Sequence, residues 1–323
     1  MTHAGGMDTT QGFGVAGQQI VKSLQELGHS TPFNKADSPV AFNFTQPYYY
    51  MYHPNQYKIG YTPWESTQLP EGWVRSMNMM EEIWTTSEYC IKSFKEDGVT
   101  APLYLFEHGI DHIWAPSRRR SIDKIRFLHV GEPAPRKCGQ MVFDAFVELF
   151  GNDPKYSLTI KSNGYSSIRA TLPSGEIAHP RECYNNVTII KKTMTVEELI
   201  TLHYTHHVLV YPSYGEGFGF IPFQAMATGM PVIFNTTWAP YKRFSVGLEI
   251  KDREIDTKWP HVHPGKILEP SYESLKEQMV KVVEDYEGYN QHAFDLAPRI
   301  HEEYDWKNLT ENAFEHVIKK LGN

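Results

Sequence analysis

The sequence predicts an α/β protein built from two Rossmann-like lobes that face each other across a cleft. Along its 323 residues, apolar runs typical of buried strands alternate with amphipathic runs typical of helices. A glycine-rich loop precedes a helix in both halves of the chain, and a polar, basic stretch at Ser117–Lys124 separates the halves. A chain of this length also favours two domains over a single core. We therefore expect a first lobe at 1–120 and a second lobe from residue 121 onward.

Composition and charge restrict the kind of protein. The chain is 41% hydrophobic and carries a net charge of −7, which does not indicate a nucleic-acid or membrane partner. Three widely spaced cysteines indicate reduced thiols and no disulfide or zinc framework. The sequence contains neither a membrane-length apolar run nor a signal-peptide pattern. We expect a cytoplasmic protein without an integral membrane segment, in the host cytoplasm if a phage encodes it.

The N-terminal region contains a glycine loop, Gly12–Gly14, followed by an amphipathic helix. The helix has its apolar residues on one face and ends at Gly28. Only a very short strand fits before the loop. A glycine loop that leads into a helix either holds a phosphate or sugar or simply makes a tight turn, and this segment alone favours neither reading.

An aromatic segment follows at Ala41–Tyr57, which contains the run PYYYMYHPNQY. Packing of these rings against the first sheet is favoured over a stacking platform for an acceptor. His53, within this run, is a candidate acceptor contact, although a structural or surface role is more common for such a residue.

The next predicted strand, Lys58–Ser66, ends in Trp64 and Glu65. Glu65 is the first-lobe candidate for contacting an acceptor or stabilising charge at a transferred sugar, and the alternative is that it caps the next helix. A further helix begins after Ser87, whose side chain is a suitable N-cap.

The stretch between the lobes contains three consecutive arginines, Arg118, Arg119 and Arg120. In an acidic chain, a solvated linker face is favoured over a nucleic-acid contact.

The second lobe opens with the strand FLHV and a helix that starts at Gly139. The loop between them carries Arg136 and Lys137, either as an exposed pair or as a phosphate site. The next strand ends in a polar turn, so Lys161, Ser162 and Asn163 are also expected at the carboxyl edge of this sheet.

A later helix is predicted from its capping box, in which Thr195 is the N-cap and Glu198 its partner. The end of this helix carries a group of histidines, His203, His206 and His207. Because neither cysteine nor carboxylate completes a ligand set, a metal site is not predicted there.

The segment Val208–Phe234 has the pattern strand, loop, helix, strand. Its loop lies where a strand ends and a helix begins, which is where open α/β sheets bind ligands and where free N–H groups attract anions. Three glycines let the backbone approach a ligand. The single carboxylate between them, Glu216, matches sugar hydroxyls better than phosphate.

The run PSYGEGFG followed by QAMATGMPVI resembles the signature of retaining glycosyltransferases of the GT-B fold, particularly family 4. In that family a Glu faces the donor sugar and a second Glu, after seven residues, faces the ribose. Glu216 matches the first position, whereas Gln224 occupies the second, which implies an altered grip on the ribose. The resemblance implies donor contacts from Glu216, Gly217, Phe218, Gly219, Phe220 and Gln224.

Other segments resemble the same family. The run VGEPAPRKCG resembles the family motif VGRL-x-x-x-KG, whose Arg and Lys neutralise the donor diphosphate. Lys137 matches the Lys of the motif, whereas Glu132 occupies the position of the Arg. Arg136 is a nearby cation that can substitute for that Arg. The glycine loop implies donor contacts from Gly12 and Gly14, and the turn Lys191–Met194 implies contacts of Lys191 and Met194 with the nucleotide base.

The first-lobe segment WESTQLPEGW resembles a family segment that points a polar residue into the cleft, here Glu65. The last helix resembles one that crosses back to the first lobe, so we divide the remaining chain into 121–300 and 301–323.

The function implied is transfer of a hexosyl or pentosyl group from a nucleotide diphosphate sugar to an acceptor hydroxyl, with retention of configuration. The expected catalytic residues are Glu216, Lys137 and Glu65. A UDP-sugar is the favoured donor and a GDP-sugar the alternative, with no metal or cofactor because fixed cations stabilise the leaving group. The acceptor is a glycan, a lipid-linked sugar or a modified DNA base. Two alternatives stay open, a phage enzyme that glycosylates hydroxymethylated DNA bases and a non-catalytic nucleotide-sugar-binding protein.

Overall fold

The computed structural model describes residues 2–4, 12–119, 123–163, 168–172 and 174–322. Among them are ten α-helices: α1 (Gly12–Glu26), α2 (Trp73–Met77), α3 (Glu88–Glu96), α4 (Gly139–Phe150), α5 (Pro180–Cys183), α6 (Val196–Thr205), α7 (Phe220–Ala227), α8 (Tyr272–Glu284), α9 (Tyr286–Glu303) and α10 (Trp306–Leu321). The first five strands are β1 (Thr2–Ala4), β2 (Val40–Phe44), β3 (Tyr57–Tyr61), β4 (Glu82–Thr85) and β5 (Leu103–Leu105). The later strands are β6 (Ile125–Val130), β7 (Tyr156–Lys161), β8 (Ala170–Thr171), β9 (Ile177–Ala178), β10 (Val187–Ile190), β11 (Val208–Tyr211), β12 (Val232–Phe234), β13 (Asp252–Asp256) and β14 (Lys266–Pro270).

Two five-stranded parallel sheets organise the chain, which confirms the predicted α/β class. The first has the strand order β1-β2-β3-β4-β5, and the second has the order β10-β7-β6-β11-β12. In the second sheet, β7 and β10 are added on one side of β6, and β11 and β12 are added on the other. The order of the strands therefore reverses between β6 and β11, which is the topological switch point of a Rossmann-like sheet. The antiparallel pair β13-β14 lies outside both sheets.

The last helix packs against the first lobe. Phe314 and Val317 of α10 share a buried cluster with Ile20 and Leu24 of α1 and with the rings of the first sheet. The carboxylate of Glu82, on β4, accepts hydrogen bonds from the His316 and Lys320 side chains of α10. The C-terminal helix therefore covers one face of the first sheet.

Several local predictions are confirmed. The Thr195 side chain accepts from the backbone of Glu198 and the Glu198 side chain accepts in return, which is the predicted capping box. Ser87 caps α3 through the backbone N–H of Cys90. The strand–loop–helix–strand unit is present as β11, α7 and β12, with β11 and β12 paired in parallel.

Three expectations are wrong. Gly12–Gly14 form the first turn of α1 and not a loop before it, because the helix already begins at Gly12. β3 ends at Tyr61, so Glu65 lies in the loop beyond the strand. Arg119 is buried at 5% exposure, whereas Arg118 is exposed as expected; Arg120 lies outside the described residues.

Arg119 is buried because the ends of two helices surround its guanidinium group. It donates to the carbonyls of His203 and His206 at the end of α6, at 3.0 and 2.8 Å. It also donates to the carbonyl and hydroxyl of Thr228 at the end of α7, at 3.0 and 2.8 Å. Helix C-termini carry partial negative charge, which stabilises a cation there in place of a carboxylate.

No helix among the described residues combines the length and apolar character needed to cross a membrane.

Candidate functional site

A cavity of about 320 Å³ lies at the carboxyl edge of the second sheet, where residues from both lobes meet. It adjoins the switch point, since the loops after β6 and β11 both contribute to it. Its lining includes Gly12, Phe13, Phe44, Pro63, Glu65 and His108 from the first lobe, and Glu132, Arg136, Lys137, Lys161, Asn163, Tyr211, Glu216, Gly217, Phe218, Gly219 and Phe220 from the second.

Glu216 is the centre of the hydrogen-bond network in this cavity. Its two carboxylate oxygens accept from the Lys137 ammonium group at 2.6 and 2.8 Å, and Arg136 lies 3.3 Å from one of them. The hydroxyls of Tyr211 and Ser213 donate to the same oxygen at 3.0 and 2.8 Å. Burial raises the pKa of Glu216, but the two cations and the hydrogen bonds outweigh it and bring the pKa to about 2. Glu216 is therefore ionised at neutral pH.

The loops that carry this network are fixed by local contacts. The backbone N–H and carbonyl of Ser213 bond to the amide of Asn235 at 2.9 and 2.8 Å, which holds the loop after β11. In the loop after β6, Cys138 adopts a left-handed backbone with φ of 54° between Lys137 and the start of α4. Arg136 donates to the carbonyl of Gly215, which joins the two loops directly.

Two glycines of the EGFG loop contact the first lobe. A β-carbon at Gly215 would collide with the carbonyl of Glu65, and one at Gly217 would collide with Pro63. The hydroxyl of Thr86 donates to the carbonyl of Gly217 at 2.6 Å. These glycines are thus required by the approach of the two lobes. The sequence predicted an approach to a ligand and did not predict this lobe contact, because a contact between distant segments leaves no local signal.

Glu65 reaches the cavity from the first lobe and lies beside the Glu216 network. One of its oxygens is 3.5 Å from Arg136, and the other is 3.9 Å from His263. Burial raises the pKa of Glu65, although the charge of Arg136 opposes the shift. The cavity therefore contains one carboxylate with a raised pKa and one, Glu216, with a lowered pKa.

His263 shows a contact that the sequence did not predict. It lies in the loop between β13 and β14, and its ring is 5.3 Å from the ring of Trp64. Nearby, the backbone N–H of Thr67 donates to the carbonyl of Lys266 at 3.0 Å, and the backbone N–H of Lys266 donates to the Thr67 hydroxyl at 2.8 Å. This hairpin holds the loop that carries Glu65. The sequence signal near His263 is a pair of prolines, Pro260 and Pro264, which favour a loop but do not indicate what that loop contacts.

His108 lines the cavity, and the sequence analysis did not single it out. Its ring is 3% exposed and stacks on Phe220 with centroids 4.6 Å apart. Neither ring nitrogen has a hydrogen-bond partner among the described residues, and burial lowers its pKa to about 3. A neutral, unpartnered imidazole therefore lines the cavity. Its place in the run HGID, at 108–111, was the signal available in the sequence.

The structure brings most of the predicted site residues together. The cavity lining includes Gly12, Glu65, Arg136, Lys137, Glu216, Gly217, Phe218, Gly219 and Phe220. Glu132 also lines it, although its side chain is exposed.

Five predicted residues lie outside this lining. Gly14 is buried within α1, and Gln224 is buried on α7 at 8% exposure. Lys191 is exposed in the turn after β10, and Met194 packs against the core beneath that turn. The backbone N–H of His53 donates to the side chain of Gln56, and the amide of Gln56 donates to two carbonyls just before β2. His53 therefore lies at the amino edge of the first sheet.

The three clustered histidines are occupied by local hydrogen bonds. His203 and His206 bond to carbonyls one turn earlier, at 2.8 and 2.7 Å, and His206 also bonds to Thr159. His207 accepts from the backbone N–H of Arg126 at 3.0 Å. Within the described ranges, no group of three or more His, Cys, Asp or Glu side chains is placed to hold a metal ion.

Comparison with known proteins supports the same region. Residues 114–239 match the family model described as glycosyl transferases group 1. A segment of 145 residues is 32% identical to a D-inositol 3-phosphate glycosyltransferase of Corynebacterium efficiens, covering 41% of this chain and 32% of that protein. The match thus spans about a third of the length of that relative.

Solved structures share the fold across nearly the whole chain. Sucrose-phosphate synthase from Thermosynechococcus elongatus has a TM-score of 0.70 at 14% identity, covering 99% of this chain and 98% of that chain. The TarM protein of S. aureus, in complex with Fondaparinux, alpha-GlcNAc-glycerol and UDP, has a TM-score of 0.63 at 14% identity, covering 92% and 57%. The trehalose 6-phosphate synthase of Burkholderia multivorans has a TM-score of 0.61 at 8% identity, covering 96% and 76%. The chain therefore has the GT-B fold, and its residues 114–239 match the glycosyl transferases group 1 model.

Proposed function

We propose that the protein transfers a sugar from a nucleotide diphosphate sugar to an acceptor hydroxyl, with retention of anomeric configuration. The observation that carries this proposal is the ionised Glu216 held by Arg136 and Lys137 in a cavity between two lobes. The site combines a carboxylate for sugar hydroxyls with cations for a phosphate leaving group. The group 1 match across these residues supports the same reaction.

Arg136 and Lys137 are the groups proposed to stabilise the departing diphosphate. In the structure both cations pair with Glu216, and a bound diphosphate would compete for them. Exchange of partners would leave the cations on the phosphates and free the carboxylate. The N-terminus of α7, which begins after Gly219, adds partial positive charge at the same place. Fixed cations of this kind supply the charge stabilisation without a metal ion.

Glu216, once released by the cations, would accept hydrogen bonds from hydroxyls of the transferred sugar. Gln224 is proposed to contact the ribose, and the turn Lys191–Met194 the base, as the family resemblance implies. Because Gln224 does not line the cavity as it stands, a ribose contact requires the donor to extend along α7 beyond the present lining.

Glu65 is proposed to act on the acceptor side. It comes from the first lobe, opposite the donor groups, and its raised pKa brings it nearer to neutral pH than an exposed carboxylate. It can therefore accept a hydrogen bond from an acceptor hydroxyl or stabilise positive charge that develops on the sugar. The leaving phosphate remains the expected base in the retaining mechanism that we propose.

A UDP-sugar is the favoured donor, and a GDP-sugar is the alternative. TarM and the pneumococcal O-GlcNAc transferase GtfA, both similar in fold, have structures in complex with UDP. A trehalose-6-phosphate synthase of similar fold has been studied for glycosyltransfer with retention, which supports that stereochemical course. The proposed acceptor is a hydroxyl of a glycan, a lipid-linked sugar or a modified DNA base.

The test is a thermal-shift screen of UDP- and GDP-sugars, followed by a transfer assay with an acceptor panel and NMR assignment of the product anomer. We expect a donor to raise the melting temperature, since a ligand that binds the folded state stabilises it. Glu216→Ala should abolish both transfer and donor hydrolysis. A product of inverted configuration would contradict retention, and donor binding without turnover across the panel would favour a non-catalytic binding protein.

A further inference from the structure

Lys161 is a buried cation of the cavity to which the proposed reaction assigns no role. It is the last residue of β7, is 6% exposed, and lines the cavity together with Asn163. Its ammonium group donates a hydrogen bond of 2.5 Å to the side-chain oxygen of Asn163. An ammonium group has three donors and a full charge, so a neutral amide oxygen satisfies it only in part. A buried cation in this state favours an anionic ligand.

The other two cavity cations are paired differently. Arg136 and Lys137 lie 3.3 and 2.6 Å from Glu216, so part of their charge is neutralised inside the protein. Within the described residues, no carboxylate oxygen lies within 4.0 Å of the Lys161 ammonium group. Burial lowers the pKa of Lys161, and the charge of Glu132 opposes that shift. Because Glu132 is exposed, water and salt screen it, and its charge does not replace a direct partner.

The direction of the Lys161 side chain follows from the strand. On β7, Leu158 and Ile160 point into the core shared with α4 and α8, so Lys161 emerges on the opposite face. That face carries Tyr211 on β11 and the cavity itself. The alternation of the strand therefore delivers this cation to the same side of the sheet as the Glu216 network.

We propose that Lys161 binds a phosphoryl oxygen of the donor, as a third cation beside Arg136 and Lys137. This inference rests on the proposed function. Each phosphate of a nucleotide diphosphate sugar carries one negative charge, whereas Arg136 and Lys137 together with Glu216 leave one positive charge. Lys161 supplies a second positive charge at a site where Glu65 also lies 3.5 Å from Arg136.

The test compares Lys161→Met with the unchanged protein by isothermal titration calorimetry. Methionine keeps an unbranched chain of similar length and removes the charge. We expect the Kd for UDP, or for GDP if guanine is the base, to rise about 10- to 100-fold, since a hydrogen bond to a charged group contributes about 1.5–3 kcal/mol. The Kd for the nucleoside without phosphate should not change, and Lys161→Arg should retain much of the affinity for the diphosphate.

Lys155→Met is the matched control, because it removes the same charge from an exposed position just before the same strand. If Lys161→Met does not fold, Lys161→Gln replaces it, since glutamine can still donate to Asn163. Unchanged UDP affinity in a folded variant, or an equal loss for the nucleoside, would overturn the role of Lys161. Failure of the unchanged protein to bind either nucleoside diphosphate would overturn the proposed function itself.

Discussion

Lys137 and Glu216 form a bidentate ion pair, with the ammonium nitrogen 2.6 and 2.8 Å from the two carboxylate oxygens. The two residues come from different loops, 79 positions apart, and meet only because β6 and β11 are neighbours in the second sheet. Burial and the nearby Arg136 lower the pKa of Lys137, and the Glu216 charge opposes both effects. Lys137 and Glu216 therefore neutralise each other's charge in the proposed donor site.

Lys137→Met should weaken binding of UDP about 10- to 100-fold, because it removes a charged hydrogen bond to the diphosphate. The measurement is calorimetric titration with UDP. Lys92→Met is the control, since Lys92 pairs with Glu96 on the exposed surface of α3, outside the cavity lining, and its loss should leave the Kd unchanged. Equal affinity of Lys137→Met and the unchanged protein would exclude a role in phosphate binding.

Gly215→Ala should separate the lobes. The added β-carbon would meet the carbonyl of Glu65, which is backbone and has little freedom to move. We expect a larger radius of gyration by small-angle X-ray scattering and a loss of transfer activity, with most of the donor affinity kept because Lys137 and Glu216 share one lobe. An unchanged radius and full activity would show that the two lobes do not need this contact.

Arg119→Met should destabilise the protein by about 3 kcal/mol or more, because hydrogen bonds to a charged group contribute about 1.5–3 kcal/mol each. The substitution leaves the carbonyls at the ends of α6 and α7 without their shared donor. The measurement is urea unfolding. Arg118→Met is the control: Arg118 is exposed and bonds to Gln291, so its loss should change the free energy of unfolding little. Similar values for both variants would contradict the role assigned to Arg119.

Replacing His108 by Phe should not lower the free energy of unfolding and should raise it by up to about 1–3 kcal/mol, the cost of a buried polar group without a partner. His129→Phe is the matched control, because His129 is equally buried but bonds to the carbonyl of Val210 at 2.9 Å. That variant should lose stability. If His108→Phe is the more damaging of the two, the unpartnered imidazole of His108 does not destabilise the fold.

Stability in acid should depend on Glu82. Burial raises its pKa, but hydrogen bonds from Lys320, Trp84, Tyr57 and His316 outweigh burial and bring the pKa to about 2. Because the pKa is lower in the folded state than the usual 4.5, the stabilisation is complete above that pH and is lost as the pH falls toward 2.

The expected loss for Glu82 over this interval is at most about 3 kcal/mol, taking 1.36 kcal/mol per pKa unit. Glu82→Gln should reduce the slope of unfolding free energy against pH between pH 5 and pH 2. Glu81→Gln is the control, since Glu81 pairs with Lys58 nearer the surface. Identical slopes in the unchanged protein and Glu82→Gln would show that Glu82 is not the residue that links α10 to acid stability.

Much of the fold was predictable because its signals are local. The capping box of Thr195 and Glu198, the Ser87 cap and the β11–α7–β12 unit each depend on residues only a few positions apart. Hydrophobic period, capping chemistry and turn residues are properties of short segments, and the sequence displays them directly. The glycine-rich run around Glu216 likewise predicted that this loop lies at the carboxyl edge of a sheet, where the structure places it in the cavity lining.

Tertiary structure alone decided which distant segments meet. Arg119 lies in a stretch with the composition of a solvated linker, yet two helix ends bury it. His263 and Glu65 approach each other from different lobes. Lys161 lies apart from the carboxylates that pair with Arg136 and Lys137. The sequence determined the two parallel-sheet lobes and the chemistry of the loop at Glu216. The ion pairs around Glu216 depend on the order of the strands and on the contact between the two lobes. Both arise from contacts between segments that are far apart in the chain, and such contacts leave no periodic pattern in the sequence of either segment.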